Sequence, residues 1–359
     1  MSIFRKTLSC AVLAALGTCA LAGCGRQDTS NEATTSASPE ASPAITETVN
    51  ESTAASEQTP TPGTQSTQPA DVTSTPFGQH GALHVENGKL TDADGNTVQL
   101  YGMSTHGIAW FPQYINYDSF RTLRDDWNTN CIRLAMYTAE YGGYCADGDK
   151  EQLKQLVRDG VSYATELGMY VIVDWHILSD CDPNQNKDEA IAFFREMSEA
   201  FADNDNVLYE ICNEPNSGTS WDSIKSYAEE VIPVIREQKP DAVILVGTPT
   251  WSQEIDKAAA SPLTFDNVMY TLHFYAGTHK DDLRNRLETC AQNNLPVFVS
   301  EFGMCDASGN GANDFDSTTK WLDLLNKYQI SFCCWNLANK DESSSVFKAA
   351  STTLSDWTD

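Results

Sequence analysis

The sequence predicts an α/β protein built as a (β/α)8 barrel with a short N-terminal β-hairpin ribbon. Eight short apolar segments with strand character alternate with amphipathic segments of helical period. Together they extend over roughly 280 residues, which is the size expected of such a barrel. The strand segments are apolar throughout, a pattern typical of parallel strands that are buried on both faces. A closed parallel barrel accounts for all of these observations.

The predicted elements follow one another along the chain. The strand segments are residues 98–103, 130–136, 170–176, 207–212, 242–247, 268–274, 296–300 and 330–335. The helical segments are residues 150–167, 188–202, 221–237, 280–293 and 318–327. An open, doubly wound sheet is the alternative architecture. It is less favoured because residues 103–107, which follow the first strand, do not form the Gly-rich phosphate loop of nucleotide-binding sheets.

A small antiparallel ribbon is expected before the barrel. Asn87-Gly88 and Asp94-Gly95 each interrupt a run of alternating residues. Asn-Gly and Asp-Gly are the pairs that tight hairpin turns favour. We expect this ribbon to cover the bottom of the larger sheet.

The first residues have the organisation of an export signal. Two basic residues precede an apolar run at residues 8–22 that is too short to span a membrane comfortably. Residues 21–24, Leu-Ala-Gly-Cys, resemble a bacterial lipobox, in which the cysteine becomes the lipidated first residue of the mature protein. We therefore expect a signal peptide at residues 1–23 and an extracellular, cell-surface lipoprotein anchored through Cys24. An ordinary signal peptide with an incidental cysteine is the alternative.

Residues 24–76 are rich in Ser, Thr, Pro, Ala, Glu and Gln and contain almost no large apolar side chains. Such a segment cannot bury enough surface to offset its conformational entropy. We predict that it is a disordered tether between the anchor and a single catalytic domain at residues 77–359.

The charge balance limits the possible partners. The 359-residue chain contains 23 Lys and Arg against 50 Asp and Glu, a formal net charge of −27. Such a chain is repelled by phosphate backbones and anionic headgroups. No nucleic acid is therefore expected as a partner, and membrane contact is expected only through the lipid anchor. A neutral substrate suits this charge, and we expect a monomer.

Of the 11 cysteines, eight lie in the predicted domain. Four of these occur within apolar strand segments and resemble small buried hydrophobic residues. They are Cys131, Cys212, Cys333 and Cys334. Cys145 and Cys181 lie in polar loops, and export makes them the candidate disulfide pair. No Cys-x-x-Cys pair or His/Cys cluster indicates zinc.

Two glutamates occupy equivalent positions in two strand segments. One apolar strand ends in Asn213-Glu214-Pro215, and a second, at residues 296–303, reaches Glu301. The proline cannot donate to a strand ladder, so the first strand should end there. Desolvation at the end of a buried strand can raise the pKa of a carboxyl group. Two carboxylates presented alike from parallel strands are what glycoside hydrolysis requires.

Other polar and aromatic residues are expected at the same rim. Those at or just past strand ends are His106, Arg133, Trp175, His176, His273, Tyr275 and Trp335. Polar residues collected on one rim cost stability unless they serve a site, and the carboxyl ends of the strands form the site in a barrel of this kind. Trp110, Trp251 and Trp335 offer flat apolar faces on which pyranose rings stack.

Chemistry assigns a role to several of these groups. Glu214 is the expected general acid and then general base, and Glu301 is the expected nucleophile. Arg133 is a fixed cation that can hold a carboxylate ionised, most usefully Glu301. Asn213 can donate a hydrogen bond to a sugar 2-hydroxyl group, and Tyr275 can donate one to the nucleophile.

These stretches together resemble glycoside hydrolase family 5, and within it the bacterial endo-β-1,4-glucanases. The matching stretches are residues 102–107 with Trp110, 130–134 with Tyr137, 173–176, 209–215, 273–275, 299–303 and 335–342. The resemblance extends from about residue 80 to the end of the chain. It implies a TIM barrel, a retaining mechanism, no metal or cofactor, and endo-acting hydrolysis of β-1,4-glucosidic bonds in cellulose and related β-glucans.

The resemblance also implies roles for residues around the two glutamates. Those that support catalysis are Arg133, Asn213, His273 and Tyr275. Those that bind substrate are His106, Trp110, Tyr137, His176, Ala307, Trp335, Lys340 and Glu342. One departure is that residues 336–339, Asn-Leu-Ala-Asn, replace the Ser-Leu-Thr-His or similar run that usually precedes the lysine. This exchange bears on hydrogen bonding at the negative subsites and leaves Lys340 and Glu342 in place.

Three other functions compete with this hypothesis. A metal-dependent amidohydrolase would need a His-x-His pair after the first strand and an aspartate closing the last, and neither His106-Gly-Ile nor Trp335-Asn336 supplies them. A non-catalytic carbohydrate-binding protein would lack one of the two glutamates. A mannanase, xyloglucanase, licheninase or exo-acting glucosidase on the same scaffold stays open, because the loops after the last strands decide between them. Short connections here favour an open cleft and endo action.

Overall fold

The structure of the protein is a computed structural model that describes residues 72–357. The predicted signal peptide, Cys24 and nearly all of the predicted tether lie outside these residues. Within the described part of the chain, no helix is both long enough and apolar enough to cross a membrane.

The predicted ribbon is present at the start of the domain. After a short helix, α1 (Pro76–His80), strands β1 (His84–Glu86) and β2 (Lys89–Thr91) form an antiparallel pair. Asn87 and Gly88 make the turn with φ of 51° and 77°, as the preferred hairpin turns require. The second predicted turn, at Asp94-Gly95, is followed only by an isolated bridge.

Eight parallel strands form the closed barrel that the sequence predicts. They are β3 (Tyr101–Thr105), β4 (Cys131–Tyr137), β5 (Tyr170–His176), β6 (Val207–Glu210), β7 (Ile244–Val246), β8 (Val268–Tyr275), β9 (Val297–Gly303) and β10 (Phe332–Leu337). Their order around the barrel is β10-β3-β4-β5-β6-β7-β8-β9. The chain therefore follows the barrel wall once, and β10 closes it against β3.

The helices lie between these strands. They are α2 (Tyr117–Asp125), α3 (Lys150–Glu166), α4 (Lys187–Ala200), α5 (Trp221–Arg236), α6 (Pro249–Ser252), α7 (Ile255–Ala260), α8 (Asp281–Gln292) and α9 (Phe315–Tyr328). The five predicted helices correspond to α3, α4, α5, α8 and α9. Helix α9 begins earlier than predicted because the Asp314 side chain caps it by accepting from the Ser317 backbone N–H. Helix α2 is an addition, capped in the same way by Asn116.

The barrel interior is filled in three levels, because alternate residues of each strand point inward. The lowest level, here called the apolar floor, consists of Cys131, Ile172, Leu208, Leu245, Met269, Phe298 and Cys333. Leu83 and Leu90 of the ribbon region join the same cluster, so the ribbon covers the barrel bottom as expected. Gly102 is required there, because a Cβ on it would lie 2.2 Å from the Cys333 sulfur.

The second level is polar although it is fully buried. It consists of Ser104, Arg133, Asp174, Glu210 and Ser300. Each of these follows a floor-level residue by two positions in its own strand. The third level opens to solvent and contains the candidate site.

The candidate disulfide between Cys145 and Cys181 is wrong. All eight cysteines in the described residues are free thiols. The Cys181 sulfur is instead 3.3 Å from the Ser217 hydroxyl, and Cys145 packs against the main hydrophobic core. Of the four cysteines placed in strands, Cys334 is half-buried and the other three are buried, as expected for small hydrophobic residues.

Candidate active site

A cleft of about 590 Å³ opens at the carboxyl ends of the strands. The residues that line it are His106, Tyr137, His176, Leu178, Glu214, Trp251, Gln253, His273, Tyr275, His279, Glu301, Ala307, Ser308, Gly309, Trp335, Lys340 and Glu342. Eight different strands or their following loops contribute, which is the usual way in which this fold assembles a site.

The structure brings nearly all of the predicted site residues of this domain to the cleft. Four do not line it. Arg133, Asn213 and Trp175 are fully buried. Trp110 packs on Tyr137 with a ring-centroid distance of 4.6 Å. The expectation that Arg133 lies near a strand end is wrong. It is the third residue of β4, where inward alternation places it in the buried polar level.

The two glutamates meet across the cleft floor. Glu301 lies in β9, where strand pairing sets it beside His273 of β8, and Glu214 follows the end of β6. One oxygen from each carboxyl and one ring nitrogen of His273 all lie within 4.8 Å of one another. Retaining glycosidases hold their carboxyl groups about 5–5.5 Å apart, whereas inverting enzymes separate them by about 6.5–9.5 Å. The observed spacing agrees with retention.

Glu301 is held as an oriented anion. Its Oε1 accepts a hydrogen bond from the Tyr275 hydroxyl at 2.7 Å, and its Oε2 accepts from Arg133 Nη1 at 3.2 Å. Burial alone would raise the pKa of Glu301, but the positive charges of His273 and Arg133 outweigh burial and lower it. A carboxylate that stays ionised and fixed in position suits a nucleophile.

Glu214 has the opposite character. Its Oε1 lies 2.9 Å from His273 Nδ1. Burial is the main cause that raises the pKa of Glu214, and the negative charge of Glu301 adds to it, while His273 opposes the rise. Glu214 therefore keeps a proton at a pH where Glu301 has lost its own. Two carboxyl groups whose pKa values move apart are the mark of an acid and a nucleophile.

Arg133 is the centre of the buried polar level. Its donors reach Glu210 Oε2 at 2.7 Å, Asp174 Oδ2 at 3.0 Å, Asn213 Oδ1 at 2.6 Å, Ser104 Oγ at 3.3 Å and Glu301 Oε2 at 3.2 Å. A guanidinium can only donate hydrogen bonds, so the Asn213 oxygen must face it. This fixes the orientation of the Asn213 amide.

That orientation also fixes the protonation of His176. The Asn213 amide nitrogen faces His176 Nε2 at 3.3 Å, so Nε2 accepts and the ring proton resides on Nδ1, which donates to Asp174 Oδ2 at 2.6 Å. Burial, with Arg133 adding to it, lowers the pKa of His176 to about 3. The ring is therefore neutral. The second Asn213 hydrogen goes to the Ile177 carbonyl, and the proposed contact with a sugar 2-hydroxyl stays a prediction.

Aromatic rings and three polar side chains, His106, Lys340 and Glu342, form one wall of the cleft. Trp335 stacks on His176 with a centroid distance of 5.2 Å and an interplanar angle of 13°. Glu342 Oε2 lies 2.6 Å from Lys340 Nζ, and its Oε1 lies 3.6 Å from His106 Nε2. Burial raises the pKa of Glu342, but His106 and Lys340 more than offset it and the pKa is lowered to about 2. Asn336, the departure from the usual motif, donates to the same carboxylate at 3.3 Å.

Several site residues were not predicted from the sequence. The additional lining residues are Leu178, Gln253, His279, Ser308 and Gly309, which lie in loops whose course the sequence does not show. The additional buried residues are Asp174, Glu210 and Ser300. An ionisable residue inside an otherwise apolar strand is a signal for this second group, because it must have partners when buried.

One group of residues in the described chain has metal-ligand geometry. It consists of Glu214, His273 and Glu301. These are the two carboxyl groups of the site and the histidine between them. A hydrogen bond already joins Glu214 Oε1 to His273 Nδ1, so these two atoms are engaged with each other.

A parallel (β/α)8 barrel whose strand ends present two closely spaced carboxyl groups, one ionised and one protonated, has the architecture of a retaining glycoside hydrolase. The family model described as cellulase (glycosyl hydrolase family 5) matches residues 91–341. The chain belongs to this family.

Individual relatives agree with that assignment. Endoglucanase A of Butyrivibrio fibrisolvens is 51% identical over 283 residues, which are 78% of this chain and 66% of the relative. An endoglucanase of Clostridium saccharobutylicum is 47% identical over 296 residues, which are 82% of this chain and 64% of the relative. This chain thus covers less than two thirds of the length of either protein. The catalytic domain of Thermobifida fusca endoglucanase Cel5A, solved with cellotetraose, superposes with a TM-score of 0.73 and 44% identity, covering 76% of this chain and 90% of that one.

Replacing Arg133 by lysine tests the central position of the guanidinium. Lysine keeps the charge but cannot direct donors to Asp174, Glu210 and Glu301 together. We expect the rate of glycoside hydrolysis to fall roughly 100-fold or more, and the free energy of unfolding to fall by about 3 kcal/mol. Steady-state kinetics and urea unfolding measure the two effects. Arg121→Lys, at an exposed ion pair, is the control, and near-native values for Arg133→Lys would contradict the assignment.

Proposed function

We propose that the protein is an endo-acting, retaining hydrolase of β-1,4-glucosidic bonds in cellulose and related β-glucans. The observation that carries this proposal is the pair of closely spaced carboxyl groups whose pKa values are moved in opposite directions. Family membership supports the reaction class, and the names of the relatives, which are endoglucanases, support the substrate.

The first step of the proposed reaction forms a covalent intermediate. Glu301, held by Tyr275 and Arg133, attacks the anomeric carbon of the sugar while Glu214 donates its proton to the glycosidic oxygen of the leaving chain. The new ester bond joins a Glu301 oxygen to the sugar. The leaving chain departs with a free hydroxyl, and Glu214 becomes a carboxylate.

The second step releases the sugar. Glu214, now ionised and stabilised by His273, accepts a proton from a water molecule that attacks the anomeric carbon from the face that the leaving group vacated. The ester breaks and Glu301 returns as a carboxylate. Two inversions at the same carbon give net retention, and Glu214 regains its proton.

The placement of aromatic faces supports endo action. Trp335 lies in β10, which pairs with the strand of the nucleophile, and Trp251 follows β7, which pairs with the strand that leads to the acid. The Trp251 side chain is 45% exposed. Stacking faces therefore flank the two glutamates on both sides. An enzyme that cuts a sugar chain in its interior has to bind sugar units on both sides of the cleaved bond.

The two glutamates should fail in different ways when each is replaced by glutamine. Glu301→Gln removes the nucleophile and should abolish turnover of every substrate while chain binding remains measurable. Glu214→Gln removes the acid and should slow polysaccharide hydrolysis by about 10²–10⁴-fold, yet release aryl alcohols that need no protonation in a rapid first burst. Stopped-flow kinetics with dinitrophenyl cellobioside distinguishes the two. A burst from Glu301→Gln would contradict the assignment of roles.

The substrate class is tested by a product profile on carboxymethyl-cellulose, barley β-glucan, mannan and xyloglucan. We expect the first two to lose viscosity much faster than reducing ends accumulate, because an endo-acting enzyme cuts chains internally. The Glu301→Gln variant is the blank. Preference for mannan or xyloglucan would indicate that the protein is a mannanase or a xyloglucanase instead. Release of glucose alone would exclude endo action.

We also propose that the protein is exported and anchored to the outer face of the bacterial membrane through lipid on Cys24. The lipobox-like residues 21–24 and the apolar run before them support this proposal. A polymer too large to be imported has to be cut outside the cell, which fits the same location. The monomeric state expected from the sequence stays a prediction.

Replacement of Cys24 by alanine tests the anchor. Lipidation requires the thiol, so we expect the Cys24→Ala protein to leave the membrane fraction and its hydrolytic activity to appear in the soluble fraction. Cys145→Ala, in the folded domain, is the matched control and should remain with the membrane. Membrane retention of Cys24→Ala would leave the lipobox hypothesis without support.

A further inference from the structure

A second buried carboxyl group, Glu210, takes part in none of the steps above. It lies in β6, is fully buried and does not line the cleft. Its Oε2 accepts from Arg133 Nε at 2.7 Å, and its Oε1 accepts from the Ser300 hydroxyl at 2.7 Å. Burial by itself would raise the pKa of Glu210, but the positive charges of Arg133 and His273 lower it to about 2. Glu210 is therefore an anion at neutral pH.

The hydrogen-bond directions from Glu210 to the acid Glu214 follow from this charge. An ionised carboxylate can only accept, so the single Ser300 hydrogen points to Glu210. The Ser300 oxygen must then accept from its other neighbour, His273 Nε2, at 2.8 Å. A proton is thereby fixed on Nε2. The remaining nitrogen, Nδ1, faces Glu214 Oε1 at 2.9 Å.

We propose that Glu210 is a positioning residue that keeps His273 doubly protonated through Ser300, so that one imidazolium ion serves both catalytic carboxyl groups. Three successive hydrogen bonds connect Glu210 to Ser300, Ser300 to His273 and His273 to Glu214. A His273 nitrogen also lies within 4.8 Å of a Glu301 oxygen. This inference rests on the proposed function and adds to it a residue outside the cleft.

The ionisable groups that interact with His273 in the described chain include Asp174 of β5. Glu210 and Glu214 approach it from β6 and the segment that follows, and Glu301 approaches from β9. Arg133, from β4, binds two of these carboxylates. Burial lowers the pKa of His273, but Glu210 and Glu214 more than offset it and raise the pKa to about 9. The cation therefore persists across neutral pH.

The state of His273 decides where the acid proton of Glu214 resides. With Nδ1 protonated, the ring donates to Oε1, and the Glu214 proton must reside on Oε2. With Nδ1 unprotonated, Oε1–H would donate to the ring and the proton would be held away from the glycosidic oxygen. A cationic His273 thus keeps the acid proton available for transfer to the leaving group.

The proposal predicts that removal of Glu210 moves the pH profile in the direction opposite to the one expected from direct electrostatics. Removing an anion directly should lower the pKa of nearby carboxyl groups and move the pH profile to lower pH. If Glu210 acts through His273, its removal also discharges the imidazolium. That cation opposes the rise in the pKa of Glu214 and is the strongest charge that lowers the pKa of Glu301. Both pKa values then rise, and both limbs of the kcat/KM profile move to higher pH.

Glu210→Gln removes the charge at nearly constant shape and is the main test. We expect the histidine ring signal of His273, followed by NMR, to titrate well below the pKa of about 9 of the parent protein. The chain has six histidines, so single substitutions suffice to assign the signals. We expect both limbs of the pH profile to move to higher pH. The acid-side kcat/KM should fall about tenfold for each pH unit that the lower limb moves.

Two serine variants complete the test. Ser300→Ala breaks the path but keeps the Glu210 charge 3.8 Å from His273, so both effects should be smaller and in the same direction. Ser198→Ala removes a buried hydroxyl from helix α4, away from the path and from Arg133, and should leave both limbs in place. The proposal would be overturned if both limbs of the Glu210→Gln profile stayed fixed or moved to lower pH, or if the His273 titration did not change.

The NMR titration needs no substrate, so it tests this proposal independently of the proposed function. If the parent protein hydrolysed no β-glucan, only the proposed function would be refuted. If Glu210→Gln does not fold, Ser300→Ala decides it by the same two measurements.

Discussion

The site depends on the burial of one guanidinium group. Arg133 has no contact with solvent, and an isolated charge in such a place would cost several kcal/mol. Its neighbours remove that cost by matching it. Glu210 and Glu301 are ionised, His273 is a second cation, and burial with neighbouring carboxylates raises the pKa of Asp174 well above its ordinary range although Arg133 opposes this. Cations and carboxyl groups thus lie side by side, and this balance of opposite charges lowers the cost of burying them.

This balance explains how Glu301, the proposed nucleophile, can be both buried and ionised. A carboxylate placed at a strand end without partners would take up a proton, as burial does to Glu214. The difference between the two glutamates is therefore set by position rather than by residue type. Glu301 lies within reach of Arg133 Nη1 and the Tyr275 hydroxyl, whereas the only described hydrogen-bond partner of the Glu214 carboxyl is His273.

Much of the architecture could be predicted from the sequence because it depends on local patterns. The apolar strands, the helical period and the Asn87-Gly88 turn each predicted an element that is present. The meeting of Glu214 and Glu301 at the cleft was predicted because both glutamates end apolar segments. The buried polar level was not predicted, because strand periodicity shows that alternate residues share a face but not at which height a side chain meets its neighbours across the barrel. The role of Glu210 and Asp174 as partners of a buried cation can be inferred only once Arg133 is known to lie between them.

The wrong predictions have the same origin. The assignment of Arg133 to a strand end depended on where the strand stops, and strand ends are set by pairing that the sequence does not display. The disulfide between Cys145 and Cys181 depended on two polar loops approaching each other, which composition cannot establish. Both concern distances between segments that are remote in the chain, whereas the successful predictions concern residues close together in it.

The apolar floor has a consequence for how protons move during turnover. Below the charged level, the described part of the barrel is closed by aliphatic, aromatic and thiol side chains and by the ribbon. Exchange with bulk solvent is therefore expected at the opposite end, through the cleft where the proposed substrate would bind. The hydron that the acid gives to the departing chain leaves with that chain, and the attacking water supplies the hydron that replaces it. Each turnover therefore exchanges one hydron through the mouth of the cleft, although the protein ends in the state in which it began.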